Sequence, residues 1–362
     1  MDINIKRFVN IDIHQKIVSS VSSIRDTAVL LTSDGNSNSN KIFSSYAAML
    51  ADNTYKGYAK TLKYAKVFFD NGGVKLDVHC GIASKDAIVA EIKNLPTSEI
   101  VVGYAGDASM MKEAATEITA LSGTVDDITK VYGINQKILL SRVTAATDNS
   151  SINNFAVKVS AIEGAEMTIA AYLTKLSIYG TDTIHDYAFT SENITAEPNN
   201  DEVLGAVLDN NMNVDMTLVN AVRNLGGNLT NGLDIVNQYV LIVLQQTVTD
   251  RLLNLLTQKI KGQSGISAIY TAIAGELGRY VTNGYLVTDK IWTDETKTTS
   301  YNGKTYTLIE KNTPLTLGYR VVVLPYSSLS EDDKQNHKCP PIYIFLAESY
   351  GIRSITINGE VI

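Results

Sequence analysis

The chain has 362 residues, 44% of them hydrophobic and 19% charged, with a formal net charge of -7 at pH 7. That length can bury one large core or two to three smaller ones, and the mild acidity without a basic arm disfavours nucleic acid as a partner. Only Cys80 and Cys339 are present, which suits a reducing compartment better than a disulfide framework.

The opening stretch alternates. Ile3, Ile5, Val9, Ile11 and Ile13 share one parity, with Arg7 interrupting, while Asn4, Lys6, Phe8, Asn10, Asp12 and His14 share the other. This is the period-2 pattern of a strand. Lys6 and Arg7 are followed by no continuous apolar run, so no secretory signal is expected. Ala28–Thr32 reads as a short apolar strand closing at the turn dipeptide Asp34-Gly35. Tyr55–Asn71 has helical spacing and stops at Gly72-Gly73. A strand over Val74–Cys80 follows, then a helix over Lys85–Asn94 capped by Ser84. A strand over Glu99–Tyr104, a helix over Ala108–Leu121 and a strand over Lys137–Val143 complete this part. Strands alternating with helices predict an α/β layer with mostly parallel strands over 23–145.

The middle stretch, 146–230, is less regular. Phe155–Ala161 and Val214–Val219 read as strands, Gly164–Tyr179 as a helix, and Thr181–Asn200 as a long connection. Asp234 caps the longest predicted helix, Ile235–Lys261, about 40 Å long at about 1.5 Å per residue. Gly262 stops it, and a second helix runs from Ser264 to Asn283-Gly284, making a helical hairpin. Tyr239–Leu244 is apolar on every side, so protein is expected around the first helix. Asn237, Gln238, Gln245, Gln246, Asp250 and Arg251 carry too much polarity for a bilayer span, so a soluble protein without membrane insertion is expected.

A hairpin is predicted at Asn302-Gly303, then a second pair, Leu317–Leu324 with Ile342–Ala347. The closing stretch alternates again: Ile355, Ile357 and Val361 on one parity, with Ser354, Thr356, Asn358 and Glu360 on the other, preceded by Ile352. Termini fray unless something holds them, so a sheet must receive these residues. It is either the chain's own sheet, in which the two termini could also pair with each other, or a neighbour's. The division read from the sequence is a strand arm (1–22), an α/β domain (23–145), a middle module (146–230), a helical hairpin with a C-terminal sheet (231–350) and a second strand arm (351–362), α/β in class with a mixed α+β C-terminal part.

No chemistry rises above background. There is no phosphate-binding loop, no Gly-x-Gly-x-x-Gly, no nucleophile elbow and no His-Glu-x-x-His. His14, His79, His185 and His337 are dispersed. His79-Cys80 cannot be a dyad, because adjacent strand residues point to opposite faces. Gly103, Gly106 and Asp107 lie between a strand and a helix, where an anion could bind, but a plain βα turn explains them. Glu331-Asp332-Asp333 lacks calcium-loop spacing and suits a helix cap. No catalytic, cofactor-binding or metal residues are expected, and the chain is not expected to be an enzyme.

The arm Ile3–Ile13 leading into Thr27–Thr32, the Thr-Asn-Gly-Tyr at Thr282–Tyr285 and the run from Tyr319-Arg320-Val321-Val322-Val323 to Ile355-Thr356-Ile357-Asn358-Gly359 together resemble contractile tail sheath proteins of bacteriophages. The resemblance is one of order and pattern over most of the chain; 146–230 matches nothing in it. It implies helical rings stacked around a tail tube, in a virion tail assembled in the host cytoplasm. Each subunit would give its terminal strands to neighbours, carried by Ile3, Ile5, Phe8, Val9, Ile11 and Ile13 at one end and Ile352, Ile355, Ile357 and Val361 at the other. The implied partners are further copies of the chain, a tail tube protein, and baseplate and tail terminator proteins. Two other readings remain: an α/β enzyme with a ligand near Gly81, Gly103–Asp107 or Arg142, and another polymeric phage or secretion-system structural protein.

Overall fold

The computed structural model describes residues 11–13, 15–17, 25–96, 98–124, 137–178, 186–218, 220–256, 258 and 262–349. Ile3, Ile5, Phe8 and Val9 of the first arm, and the whole closing arm, lie outside the described residues.

Two short strands come first, β1 (Ile11–Ile13) and β2 (Gln15–Ile17). The α/β part follows as β3 (Thr27–Thr32), β4 (Lys41–Phe43), α1 (Tyr46–Ala51), α2 (Ala59–Asp70), β5 (Lys75–His79), α3 (Lys85–Asn94), β6 (Val101–Ala105), α4 (Ala108–Thr124) and β7 (Ile138–Val143). The chain continues with β8 (Phe155–Val159), α5 (Met167–Ile178), α6 (Asp201–Asp209), β9 (Asn213–Leu218) and β10 (Ala221–Leu225). All the sheet-forming strands from β3 to β10 join one eight-stranded sheet in the order β10-β9-β8-β7-β6-β3-β5-β4. Its inner strands are parallel, and β4 and β10 close the two edges in antiparallel pairing.

Strands covered on both faces read as unbroken apolar runs rather than alternations, and β3, β6 and β8 are buried along almost their whole length. Alternate residues serve two cores. Leu30, Val78, Leu140 and Ala156 face a core built with Tyr64 and Phe68 of α2 and Ile169 and Leu173 of α5. Val29, Leu31, Val102, Leu139 and Val157 face a second, with Ile88 and Ile92 of α3 and Met111 and Ala115 of α4. The stretch set apart in the sequence as 146–230 therefore supplies β8, β9 and β10 to the same sheet. A boundary at 145 would cut between two strands, β7 and β8, that pair over five residues from Leu139↔Phe155 to Val143↔Val159.

The hairpin helices are α7 (Ile235–Leu256) and α8 (Gly262–Thr282). Asp234 caps α7 by accepting from Asn237 N at 2.9 Å. Tyr239, Ile242 and Leu244 of α7 belong to the same core as Leu173 of α5 and Ile344 near the C-terminus, so α7 is an interior helix that joins the two halves. No helix among the described residues is long and apolar enough to cross a membrane. Beyond the hairpin lie β11 (Lys297–Tyr301), β12 (Lys304–Ile309), β13 (Tyr319–Val323), α9 (Glu331–Gln335) and β14 (Ile342–Leu346). β11 and β12 form the hairpin predicted at Asn302-Gly303, whose φ values of 47° and 74° are those of a two-residue primed turn. Ser330 caps α9, accepting from Asp333 N, so the Glu331-Asp332-Asp333 run is a helix start.

Candidate functional site

The C-terminal sheet has the order β13-β14-β1-β2. β13 and β14 are antiparallel, from Tyr319↔Leu346 to Val323↔Ile342. The sequence of β14, Ile-Tyr-Ile-Phe-Leu, is apolar on both faces because it is covered on both. Ile342 and Ile344 enter the core shared with the helices. Phe345, followed by Ala347, packs with Leu308 and Ile309 of β12. Tyr319 OH donates to Ala274 O of α8 at 3.1 Å, and Arg320 Nε donates to Leu308 O of β12 at 2.8 Å, which fixes β13 between the two.

The two edges of the β13–β14 pair differ. Beside β14 lies β1, parallel to it, with Asp12↔Tyr343 and Ile13↔Ile344. Ile11 and Ile13 of the predicted arm thus lie, in the single chain, on its own β14. Beside β13 no strand among the described residues pairs. Instead a groove of about 450 Å³ runs between β13 and α8, lined by Gln263, Ile266, Ser267, Tyr270 and Thr271 from the helix and by Arg320–Val323 from the strand. It continues into a second hollow of about 370 Å³ under Pro314–Leu317. Tyr270 and Leu317, which border it, are 42% and 56% exposed, high for large apolar side chains. The helix side of this groove was not singled out from the sequence. Its signal is the stripe Gln263, Ile266, Tyr270 on α8, spaced at three and four residues.

The alternative ligand site near Gly103–Asp107 is occupied by packing. A Cβ on Gly103 would lie 2.5 Å from Met167 Sδ, so this glycine lets α5 approach the sheet. Asp107 accepts from Ser109 N and Oγ, both at 2.9 Å, as the cap of α4, and these bonds hold its carboxyl below the usual range. Asp34, at the end of β3, accepts from Thr61 N and Oγ1. Arg142 Nη1 donates to Ser160 O at 2.9 Å. Cys80 and His79 face opposite ways, as strand geometry requires. Cys80 is buried beside Tyr55, and burial pushes its thiol up, which makes it a poor nucleophile.

One charged cluster was not legible beforehand. Lys158, in the middle of β8 and fully buried, contacts Glu192 Oε2 at 2.5 Å, Asp215 Oδ1 at 2.8 Å and Thr168 Oγ1 at 2.6 Å. Tyr187 OH donates to Glu192 Oε1 at 2.5 Å. Burial would neutralise the amine, but the charges of Asp215 and Glu192 outweigh it and raise its pKa. The cluster is closed to solvent, and it pins the irregular segment around Tyr187 and Glu192 to the large sheet. A positioning role follows, not a catalytic one.

An eight-stranded α/β sheet, a buried helical hairpin and a small C-terminal sheet thus make up the described fold. The chain is similar to a chain of the helical sheath of the anti-feeding prophage in its contracted state, with a TM-score of 0.59 at 12% identity over 96% of this chain and 95% of that one. It is also similar to a chain of the anti-feeding prophage baseplate in its contracted state, with a TM-score of 0.61 at 15% identity over 95% of this chain and 96% of that one. Residues 234–361 match the family described as E217 tail sheath protein gp31-like, C-terminal domain. Over these residues the hairpin and C-terminal sheet are thus similar to a phage tail sheath C-terminal domain, and the resemblance drawn from the sequence holds. No curated protein matches the chain.

Proposed function

We propose that the chain is a subunit of a phage contractile tail sheath. It polymerises as stacked helical rings around a tail tube through exchanged terminal strands, and contracts to drive the tube through the host envelope. The observation that carries this reading is the edge of β13, beside which no strand among the described residues pairs, with its groove against α8. A strand edge with unpaired backbone groups is a template for another strand, and the closing stretch of the same chain, with Ile352, Ile355, Ile357 and Val361, has the alternation to fill it. The opening arm, Ile3 to Ile13, supplies the strand beside β14, again from a neighbour in the assembled sheath.

The energetics favour a lattice over a pair. Each apolar side chain buried contributes about 1.5–3 kcal/mol and each strand hydrogen bond about 1 kcal/mol, while ordering each arm residue costs about 1–2 kcal/mol. A single arm is therefore nearly balanced, and many arms held in register add through multivalency. Linkages of this kind persist while subunits rotate against one another, so contraction runs downhill from a metastable extended state. The tail tube, baseplate and tail terminator proteins are the remaining partners, with assembly in the host cytoplasm and a final place in the virion tail. The protein acts as a structural element and not as an enzyme.

Electron microscopy of the purified full-length protein tests this. Striated tubes of phage-tail width are expected, and a variant lacking residues 351–362 should keep its fold yet form no tubes. Uniform single particles from the full-length chain under conditions that polymerise sheaths would overturn the reading.

A further inference from the structure

One cluster of ligating side chains lies far in sequence from the C-terminal sheet and has no part in it. Asp77 and His79 alternate along β5 and so share a face of the large sheet. Glu99 arrives from the turn before β6, and one ligating atom from each of the three lies within 4.8 Å of the others. From α3, Glu91 Oε1 accepts from His79 Nδ1 at 2.5 Å. The other ring nitrogen, Nε2, lies 3.3 Å from Asp77 Oδ2. A histidine whose outer nitrogen is held by one carboxylate, with the inner one beside another, has the second-shell arrangement of metal-bound imidazole.

A second observation concerns a buried carboxylate in the cluster. Glu99 is only 9% exposed, and its Oε2 is buried with no hydrogen-bond donor among the described residues. A carboxylate oxygen in that position is costly unless a proton or a cation meets it, and burial together with the charge of Asp77 pushes the Glu99 carboxyl up to about 7. Lys137 is nearby, but its amine donates to the backbone carbonyls of Pro96 and Glu99. The side chains of Asp77 and His79 each keep 14% exposure, so the cluster is reachable from solvent.

We propose that Asp77, His79 and Glu99 bind a divalent transition-metal cation of the Zn2+ or Mn2+ class, with Glu91 as a positioning residue. One imidazole with two carboxylates suits these borderline ions better than Mg2+, which prefers oxygen ligands and its own water shell. Ligand bonds of about 2.0–2.2 Å require the three side chains to draw together by less than about 1 Å, within the reach of small torsional changes. The bound ion ties β5 to the turn before β6, and through Glu91 to α3. It stabilises the α/β domain and takes no part in strand exchange.

The test uses the full-length protein, stripped with a chelator and then dialysed against ZnCl2, MnCl2 or MgCl2. Bound metal is measured by mass spectrometry and Tm by thermal unfolding. About one equivalent of Zn2+ or Mn2+ per chain and a rise in Tm of several degrees are expected, with little response to Mg2+. Glu99→Gln, which keeps the side-chain shape and removes a buried charge, should fold normally and weaken binding about tenfold or more. Glu91→Gln should weaken it to a smaller extent. Wild-type protein that binds no more Zn2+ or Mn2+ than Glu99→Gln, or whose Tm responds equally in both, would overturn the proposal.

Discussion

Val321 lies directly opposite Ile344 in the antiparallel pair of β13 and β14. Ile344 is also matched by Ile13 on its far side, whereas among the described residues Val321 has a strand on one side only. Natural sheets usually blunt such an edge with charge, proline or a bulge. Here the edge residues Val321, Val322 and Val323 are apolar, and Ile266 and Tyr270 of α8 lie beside them among polar neighbours, which fits the proposed covering of this edge by another strand.

The groove is expected to be needed for assembly and dispensable for folding. Tyr270→Glu places a charge on a half-exposed position of α8 beside β13. Stability should change by about 1 kcal/mol or less, while polymer formation followed by sedimentation should fall by an order of magnitude or more. Normal polymerisation of this variant would remove the groove from the interface.

Lys158→Met should be severe. It leaves Glu192 and Asp215 buried without their cation, a change worth about 3–5 kcal/mol. Denaturant unfolding should show that loss, and protease should cleave first in the segment that the cluster pins. Lys158→Met combined with Glu192→Gln and Asp215→Asn should recover part of it, because the uncompensated charges are then gone.

Glu166 offers a pH signature. It is fully buried, one carboxylate oxygen has no hydrogen-bond donor among the described residues, and burial pushes its pKa up to about 7. A raised carboxylate binds its proton more tightly in the folded state, so its contribution is complete below the ordinary value near 4.5 and is lost as pH rises through about 7. Glu166→Gln removes that dependence. The variant should therefore gain on the wild type between pH 5 and pH 8, by on the order of 2–3 kcal/mol. An unchanged difference across that range in urea titrations would show that Glu166 is not ionised against its surroundings.

Much of the fold was legible because its signals are local. Ser84 caps α3 as its sequence suggested, and Asn302-Gly303 makes the predicted turn. In the all-round apolar run Tyr239–Leu244, Tyr239, Val240, Ile242 and Leu244 are buried, as an interior helix requires. The rest depends on distant partners. Lys158 looks like an ordinary polar residue in Phe-Ala-Val-Lys-Val, because its anions come from Glu192 and Asp215, far along the chain. The continuation of the large sheet through β9 rests on just the pairs Lys158↔Asn213 and Val159↔Val214, which no local pattern announces. Asp77, His79 and Glu99 escaped notice for the same reason, since a motif search needs ligands close in sequence. Of the predicted arm residues, Ile11 and Ile13 belong to β1, which pairs with β14 through Asp12 and Ile13, and the others lie outside the described residues.

Strand exchange between subunits is tested most directly by a cross-link. In a Cys339→Ser background, where the remaining Cys80 is buried, cysteines introduced by Val321→Cys on β13 and Ile357→Cys in the closing arm should form disulfides between chains under mild oxidation of assembled protein. A ladder of covalent dimers, trimers and higher species on a denaturing gel is the expected result. A single disulfide-linked monomer band, with the arm closed onto its own β13, would contradict it.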